Sequence, residues 1–82
     1  MPFSPELVTT LRSKMDFGAI PTERPLKMFA GRGNGSICAG CDGPILADQV
    51  EYEMDFGGDR IFRLHLACAG WWEAECHRRG HR

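Results

Sequence analysis

The stretch "SICAGCDGPI", residues 36–45, contains two cysteines with two residues between them and a Gly-Pro pair just behind. A second stretch, "HLAC" at residues 65–68, contains a histidine and a cysteine at the same spacing. Zn²⁺ takes four ligands in a tetrahedron, and three cysteines with one histidine are a common closed structural set. The spacing therefore predicts one structural zinc ion held by Cys38, Cys41, His65 and Cys68.

The segment between the two ligand pairs predicts a β-hairpin, which would return the chain to its starting point. Residues 49–56, "QVEYEMDF", alternate apolar and acidic side chains, as is typical of a half-buried strand. The sequence "GGD" at 57–59 predicts a turn, and "RIFRLHL" at 60–66 predicts the returning strand. The hairpin would bring the second ligand pair back to the first.

A helix is predicted from Leu66 to about Arg79. Its positive N-terminal end favours the thiolate form of Cys68, which falls in the first turn. The apolar stripe of this helix consists of Ala69, Trp72 and Cys76. Cys76 follows Cys68 by eight residues, or about 12 Å of helix, which is too far to share one ion. We therefore predict that Cys76 is a buried core thiol.

Two other uses of Cys38 and Cys41 compete with the zinc site. A redox dithiol of the thioredoxin type should open a helix, whereas the Gly-Pro pair at 43–44 prevents one here. A disulfide framework would leave His65 without a role, and disulfides are rare in the reducing cytosol. Both interpretations are therefore weaker than a zinc site.

Composition limits the classes of function. A chain of 82 residues has room for one domain with a marginal core, and such scaffolds usually add a metal, disulfides or a partner. The formal net charge of -1 does not indicate a dedicated nucleic-acid binder. No apolar run approaches the roughly 18 residues that span a bilayer, and "MPFSPELVTTLRSKM" lacks the apolar core of a signal peptide. We therefore expect a cytoplasmic protein that does not act at membranes.

Four segments are expected along the chain. Residues 1–17 predict an N-terminal helix that packs on the domain, with Ser4 as its N-cap. The apolar stripe of this helix consists of Leu7, Leu11 and Met15. Residues 18–36 are rich in proline and glycine and predict a loop, called the arm below. Residues 37–80 form the zinc-finger core, and 81–82 form a tail. The expected fold class is a small α+β zinc-bound domain.

The two ligand pairs, Ile45, the hairpin and the tryptophans after Cys68 resemble the single-zinc finger of poly(ADP-ribose) polymerases and half of a LIM module. The resemblance covers residues 36–79 and implies a treble-clef arrangement, in which a zinc knuckle, a hairpin and a helix surround one ion. It carries over the same four ligands, Cys38, Cys41, His65 and Cys68. The whole chain is also similar to small, uncharacterised bacterial proteins with an N-terminal helix, an arm and this finger.

Neither family's partner transfers directly. Polymerase-type fingers grip DNA ends with basic and apolar surfaces, whereas the first hairpin strand here carries Glu51, Glu53 and Asp55. A LIM module needs a second set of zinc ligands, which this sequence lacks. Fold alone does not fix function.

The leading functional prediction is a non-enzymatic module that mediates protein–protein interaction, because a closed metal site leaves no open position for a catalytic water. Trp71 and Trp72 are adjacent on a helix, so both cannot face one core, and Trp71 is the better candidate for a partner contact. Met28 and Phe29 in the arm are similar candidates. The alternative is a nucleic-acid-binding finger that uses basic residues of the arm and the C-terminal region: Arg24, Lys27, Arg32, Arg78, Arg79 and Arg82.

Overall fold

The structure is a computed structural model that describes residues 4–80. This part of the chain forms two helices and a three-stranded antiparallel sheet with strand order β1-β2-β3. The elements are α1 (Pro5–Asp16), β1 (Lys27–Arg32), β2 (Val50–Asp55), β3 (Ile61–His65) and α2 (Leu66–Arg78). The predicted small α+β fold is confirmed.

The hairpin β2–β3 and the helix α2 form as predicted. Tyr52 pairs with Leu64 and Met54 with Phe62, so these four side chains share one face of the sheet. Met54 and Leu64 are fully buried there, in one cluster with Trp72 of α2. The hairpin turn uses Gly57, Gly58 and Asp59 at positive φ angles. Helix α2 begins directly after β3 and packs on this face of the sheet.

Strand β1 corrects the prediction for part of the arm. We expected a loop throughout residues 18–36, and this is wrong for Lys27–Arg32, which pair antiparallel with Val50–Asp55 along their whole length. All six β1 residues are exposed, so the strand lacks the alternation of buried and exposed side chains that would indicate it in the sequence. Backbone pairing with β2, rather than side-chain burial, holds β1 in place.

The beginning of the arm is tied to the core. Ile20 is 1% exposed and belongs to the buried cluster. The indole Nε1–H of Trp72 donates to the Pro21 carbonyl oxygen at 2.8 Å, which satisfies the polar atom of a buried tryptophan. These two contacts, together with a hydrogen bond from the Leu26 N–H to the Asp55 carbonyl at 2.8 Å, fix the arm to the core before it enters β1.

Helix α1 begins and packs as its sequence predicts. The Leu7 N–H donates to Ser4 Oγ at 3.1 Å, so Ser4 is the N-cap, and Pro5 takes the first helical position. Leu11 and Met15 of the predicted stripe are buried. One face of α1 therefore covers the domain.

Glu75 of α2 is buried and interacts with three arginines. Its carboxylate accepts hydrogen bonds from Arg78 and from Arg79, and Arg12 of α1 lies 3.5 Å from Oε1. Arg79 also pairs with Asp16 of α1 at 2.8 Å. The hydrogen bond from Arg78, followed by that from Arg79, lowers the pKa of Glu75 to about 2 against the penalty of burial. The cluster ties α1 to the C-terminal half of α2.

Replacing Glu75 with glutamine should lower the free energy of unfolding by about 2 kcal/mol at pH 7, because three partly exposed cations lose their shared counter-charge. The folded-state pKa of about 2 lies below the ordinary value of 4.5. The contribution is therefore present above pH 4.5 and is lost as the pH falls toward 2. Urea unfolding measures the difference. Glu73→Gln, at an exposed position of α2, is the matched control, and equal effects of the two variants would contradict the prediction.

Candidate metal centre

The four predicted ligands lie together. The three Cys Sγ atoms and one ring nitrogen of His65 all lie within 4.8 Å of one another, and Cys41 Sγ is 3.3 Å from His65 Nδ1. A tetrahedron with zinc–sulfur and zinc–nitrogen bonds of ordinary length has edges of about 3.6–3.8 Å. Cys38 and Cys68 are fully buried, and the other two ligands are half-buried. The donor types and their spacing therefore fit one metal ion of zinc's size and preference.

Residues 36–45, called the cysteine knuckle from here on, form a closed turn. Its ends pair through a bridge between Ile37 and Pro44, and Cys38 N–H donates to the Gly43 carbonyl at 2.8 Å. Asp42 has φ of 65°, a left-handed conformation that aspartate tolerates better than most residues. This turn brings both of its cysteines to one side.

Backbone N–H groups point at the Cys38 sulfur. Gly40 N–H donates to Sγ at 3.3 Å and His65 N–H at 3.4 Å. The pKa of Cys38 is lowered to about 4 by a hydrogen bond from the Cys68 thiol and by N–H groups that include that of Cys41. The pKa of Cys68 is raised correspondingly, because it holds the proton between the two sulfurs. A divalent cation at the centre can take the place of this shared proton.

His65 ends β3 and stands immediately before α2. Its Nε2 lies 2.9 Å from the Pro44 carbonyl oxygen. The tautomer protonated at Nε2 donates to that oxygen and leaves the Nδ1 lone pair facing the cluster, an arrangement common among metal-ligating histidines. Cys68 sits in the first turn of α2, where the helix N-terminus favours a thiolate. The hairpin end and the helix start therefore supply the second ligand pair.

A lysine that the sequence analysis did not single out also contacts the cysteine knuckle. Lys14 of α1 donates to the carbonyl oxygens of Ala39 at 3.0 Å and Gly40 at 2.9 Å, and to Asp42 Oδ1 at 2.8 Å. No local pattern indicates this, because 25 residues or more separate Lys14 from its partners. The three hydrogen bonds use all three protons of the ammonium group.

Cys76 and His77 stay outside the ligand cluster. Cys76 is buried among core side chains, and burial, opposed by the charge of Arg79, raises the pKa of its thiol to about 11. The prediction of a buried core thiol is confirmed. His77 is exposed on the next position of α2.

The three residues predicted to contact a partner do not form one patch. Met28 and Phe29 are 44% and 52% exposed on β1 and, as neighbours in a strand, lie on opposite faces of the sheet. Trp71 is half-buried against the core, and the Arg12 guanidinium lies 5.9 Å from its ring centroid. The partner role of all three remains a prediction.

The basic residues of the nucleic-acid alternative are divided between two environments. Arg78 and Arg79 are engaged by the buried Glu75. Arg24, Lys27 and Arg32 are exposed on the arm, and Arg82 lies outside the described residues. Of the five cations that lie within residues 4–80, two are therefore paired with a carboxylate of the protein itself.

The acids of β2 are partly neutralised. Arg63 of β3 lies 3.5 Å from Glu51 and 3.3 Å from Glu53. Arg60, immediately before β3, pairs with Glu23 of the arm at 3.0 Å. Cross-strand pairs of this kind stabilise the sheet modestly.

Comparisons of the chain with protein-family models, with curated proteins and with solved structures find no match. The resemblance to polymerase-type and LIM fingers therefore remains a resemblance of motif. Neither helix within residues 4–80 is long and apolar enough to cross a membrane.

Proposed function

We propose that the chain is a non-enzymatic zinc-finger module in which one structural zinc ion joins the cysteine knuckle to the hairpin and α2. The observation that carries this is the convergence of Cys38, Cys41, His65 and Cys68 within 4.8 Å. Thiolate and imidazole ligands in a tetrahedron favour zinc over harder cations such as magnesium or calcium. Four protein ligands would fill the coordination sphere, so a catalytic water would have no position.

Metal analysis of the purified protein tests this assignment. About one zinc ion per chain is expected. A metal-free chain that keeps the described fold would overturn the proposal.

We propose further that the module binds another protein along the outer edge of β1. Gly33 N–H donates to the Gln49 carbonyl at 2.9 Å. In an antiparallel ladder every second residue bonds to the partner strand, so this bond shows which β1 residues face β2. Phe29 and Gly31 therefore bond to β2, whereas the N–H and C=O groups of Met28 and Ala30 point away from the sheet. Such an edge can accept an extended chain as an additional strand.

An apolar depression lies beside this edge. The side chain of Met28 lines a cavity of about 210 Å³ together with Leu66, Ala69, Gly70 and Glu73 of α2, and it also lines an adjoining cavity of about 370 Å³ that reaches Trp72 and shares Glu73. Nothing lies within 4 Å of the position that a Cβ atom on Gly70 would take. An added strand could place its alternate side chains in these depressions.

Charge favours one kind of partner. Residues 24–35 contain Arg24, Lys27 and Arg32 and no acidic residue. If β1 paired with β1 of a second copy of the chain, these cations would lie opposite one another, and like charges destabilise such a pair. The occupant that fits is an extended segment of another protein in which apolar and acidic side chains alternate. This partner is chosen over nucleic acid because Arg78 and Arg79 are already paired.

A short blocked peptide of alternating glutamate and valine is a suitable probe, with a lysine–valine peptide as its control. In NMR titrations of the zinc-loaded protein, the glutamate peptide should shift and protect the amides of Met28 and Ala30, and the lysine peptide should not. Ala30→Pro should abolish the effect, because it removes an outward N–H without breaking a β1–β2 bond. Ala30→Ser should preserve it.

Two outcomes would contradict the edge proposal. One is equal binding of both peptides, or of neither. The other is steeply salt-dependent binding of a mixed-sequence DNA duplex, which would favour the nucleic-acid alternative.

A further inference from the structure

Lys14 and Cys38 lie at opposite ends of the same peptide group. The peptide between Ala39 and Gly40 presents its carbonyl oxygen to Lys14 Nζ at 3.0 Å and its N–H to Cys38 Sγ at 3.3 Å. The dipole of this peptide therefore points from the ammonium toward the sulfur. The next peptide, between Gly40 and Cys41, also presents its carbonyl oxygen to Nζ, at 2.9 Å.

Helix α1 holds Lys14 in this position. Leu11, one turn earlier, is 1% exposed, and its Cδ2 lies 3.0 Å from the place of a Cβ on Gly40. On the other side of α1, Arg12 and Asp16 contact the Glu75 cluster of α2. The Lys14 side chain is only 20% exposed. The ammonium is thus fixed against the cysteine knuckle by packing as well as by hydrogen bonds.

We propose that Lys14 is a positioning residue of the metal centre. Its ammonium orients the peptide group between Ala39 and Gly40 so that the N–H end stabilises the Cys38 thiolate, and it offsets the net charge of -1 that three thiolates and one dication carry. A hydrogen-bond chain of this kind strengthens each of its members. Lys14 therefore increases metal affinity without contacting the metal. This inference rests on the proposed zinc site.

The test compares Lys14→Met with the parent and with Arg12→Met. Arg12 lies on the same helix and also carries a positive charge, but its guanidinium contacts Glu75 and Trp71 instead of the knuckle. Zinc affinity is measured by competition with a chromophoric chelator, and the amide proton shift of Gly40 is recorded on the zinc-loaded proteins. Loss of an outer-shell partner typically costs 10–100-fold in metal affinity.

We expect Lys14→Met to bind zinc about tenfold more weakly, at the lower end of the range for outer-shell partners. We also expect its Gly40 amide proton to move upfield as its hydrogen bond to sulfur weakens. Arg12→Met should keep the parental amide shift and affinity. If Lys14→Met does not fold, Lys14→Gln replaces it, because its amide still donates to one carbonyl while the charge is lost.

Parental affinity in the folded Lys14 variant, or an equal loss in both variants, would overturn the positioning role. Failure of the zinc proposal looks different, because the parent protein itself would then bind no zinc.

Discussion

Removal of the metal by a chelator should unfold the domain. Structural zinc supplies roughly 10–16 kcal/mol of apparent binding free energy in small finger peptides, which is as large as the whole stability of a typical domain. Here Cys38 and Cys68 belong to the buried cluster itself. Without a cation, their sulfurs lie close together in a core that disfavours charge. We therefore expect loss of the near-ultraviolet circular dichroism of Trp71 and Trp72 on chelation, and its return when zinc is added.

Two cysteine variants separate metal binding from core packing. Cys38→Ser should contain much less than one zinc per chain and should lack a cooperative unfolding transition. Cys76→Ala removes a cysteine that is also buried but lies outside the ligand cluster. It should keep one zinc per chain with a small loss of stability. Retention of a cooperative transition by the chelated parent protein would show that the metal does not hold the fold.

The sequence predicted the cluster of four candidate ligands because the pattern that indicates it is local. Each candidate ligand pair needs two residues at a fixed short spacing, which is visible in the sequence. The hairpin needed only a turn between two alternating segments. These features depend on neighbours in the chain, so they are visible without the fold.

Strand β1 could not be identified in the same way. Alternating apolar and polar residues indicate a half-buried strand, but every β1 residue is exposed. Its register depends on β2, whose paired residues lie 18 to 28 positions away in sequence. The prolines and glycines around β1 also resemble those of a loop. The pairing partner, rather than the segment itself, determines this element.

The role of Lys14 is equally invisible in the sequence. A lysine on a helix with an apolar stripe is normally a solvated side chain. Its hydrogen bonds to Ala39 and Gly40 form because α1 packs on the cysteine knuckle through Leu11. Both β1 and the role of Lys14 thus depend on tertiary contacts between distant segments, which sequence patterns do not show.

The second large effect is expected at Gly33, which follows β1 and lies where the arm crosses the loop behind the cysteine knuckle. Gly33 is buried, and a Cβ atom there would stand 2.1 Å from the Leu46 carbonyl oxygen and 2.6 Å from that of Ile45. Both are backbone atoms, and Ile45 is fully buried, so neither can move aside cheaply. Gly33→Ala should therefore lower the free energy of unfolding by roughly 3 kcal/mol or more.

Gly31→Ala is the matched control for this prediction, because Gly31 lies two residues earlier and nothing stands within 4 Å of its Cβ position. Its unfolding free energy should stay within about 0.5 kcal/mol of the parent. Urea unfolding of the zinc-loaded variants measures both. Since neither glycine has a positive φ, the difference between them reports the lack of space around Gly33 rather than backbone strain. If the two variants were equally stable, β1 and the 45–49 loop would not pack as closely as this structure has them.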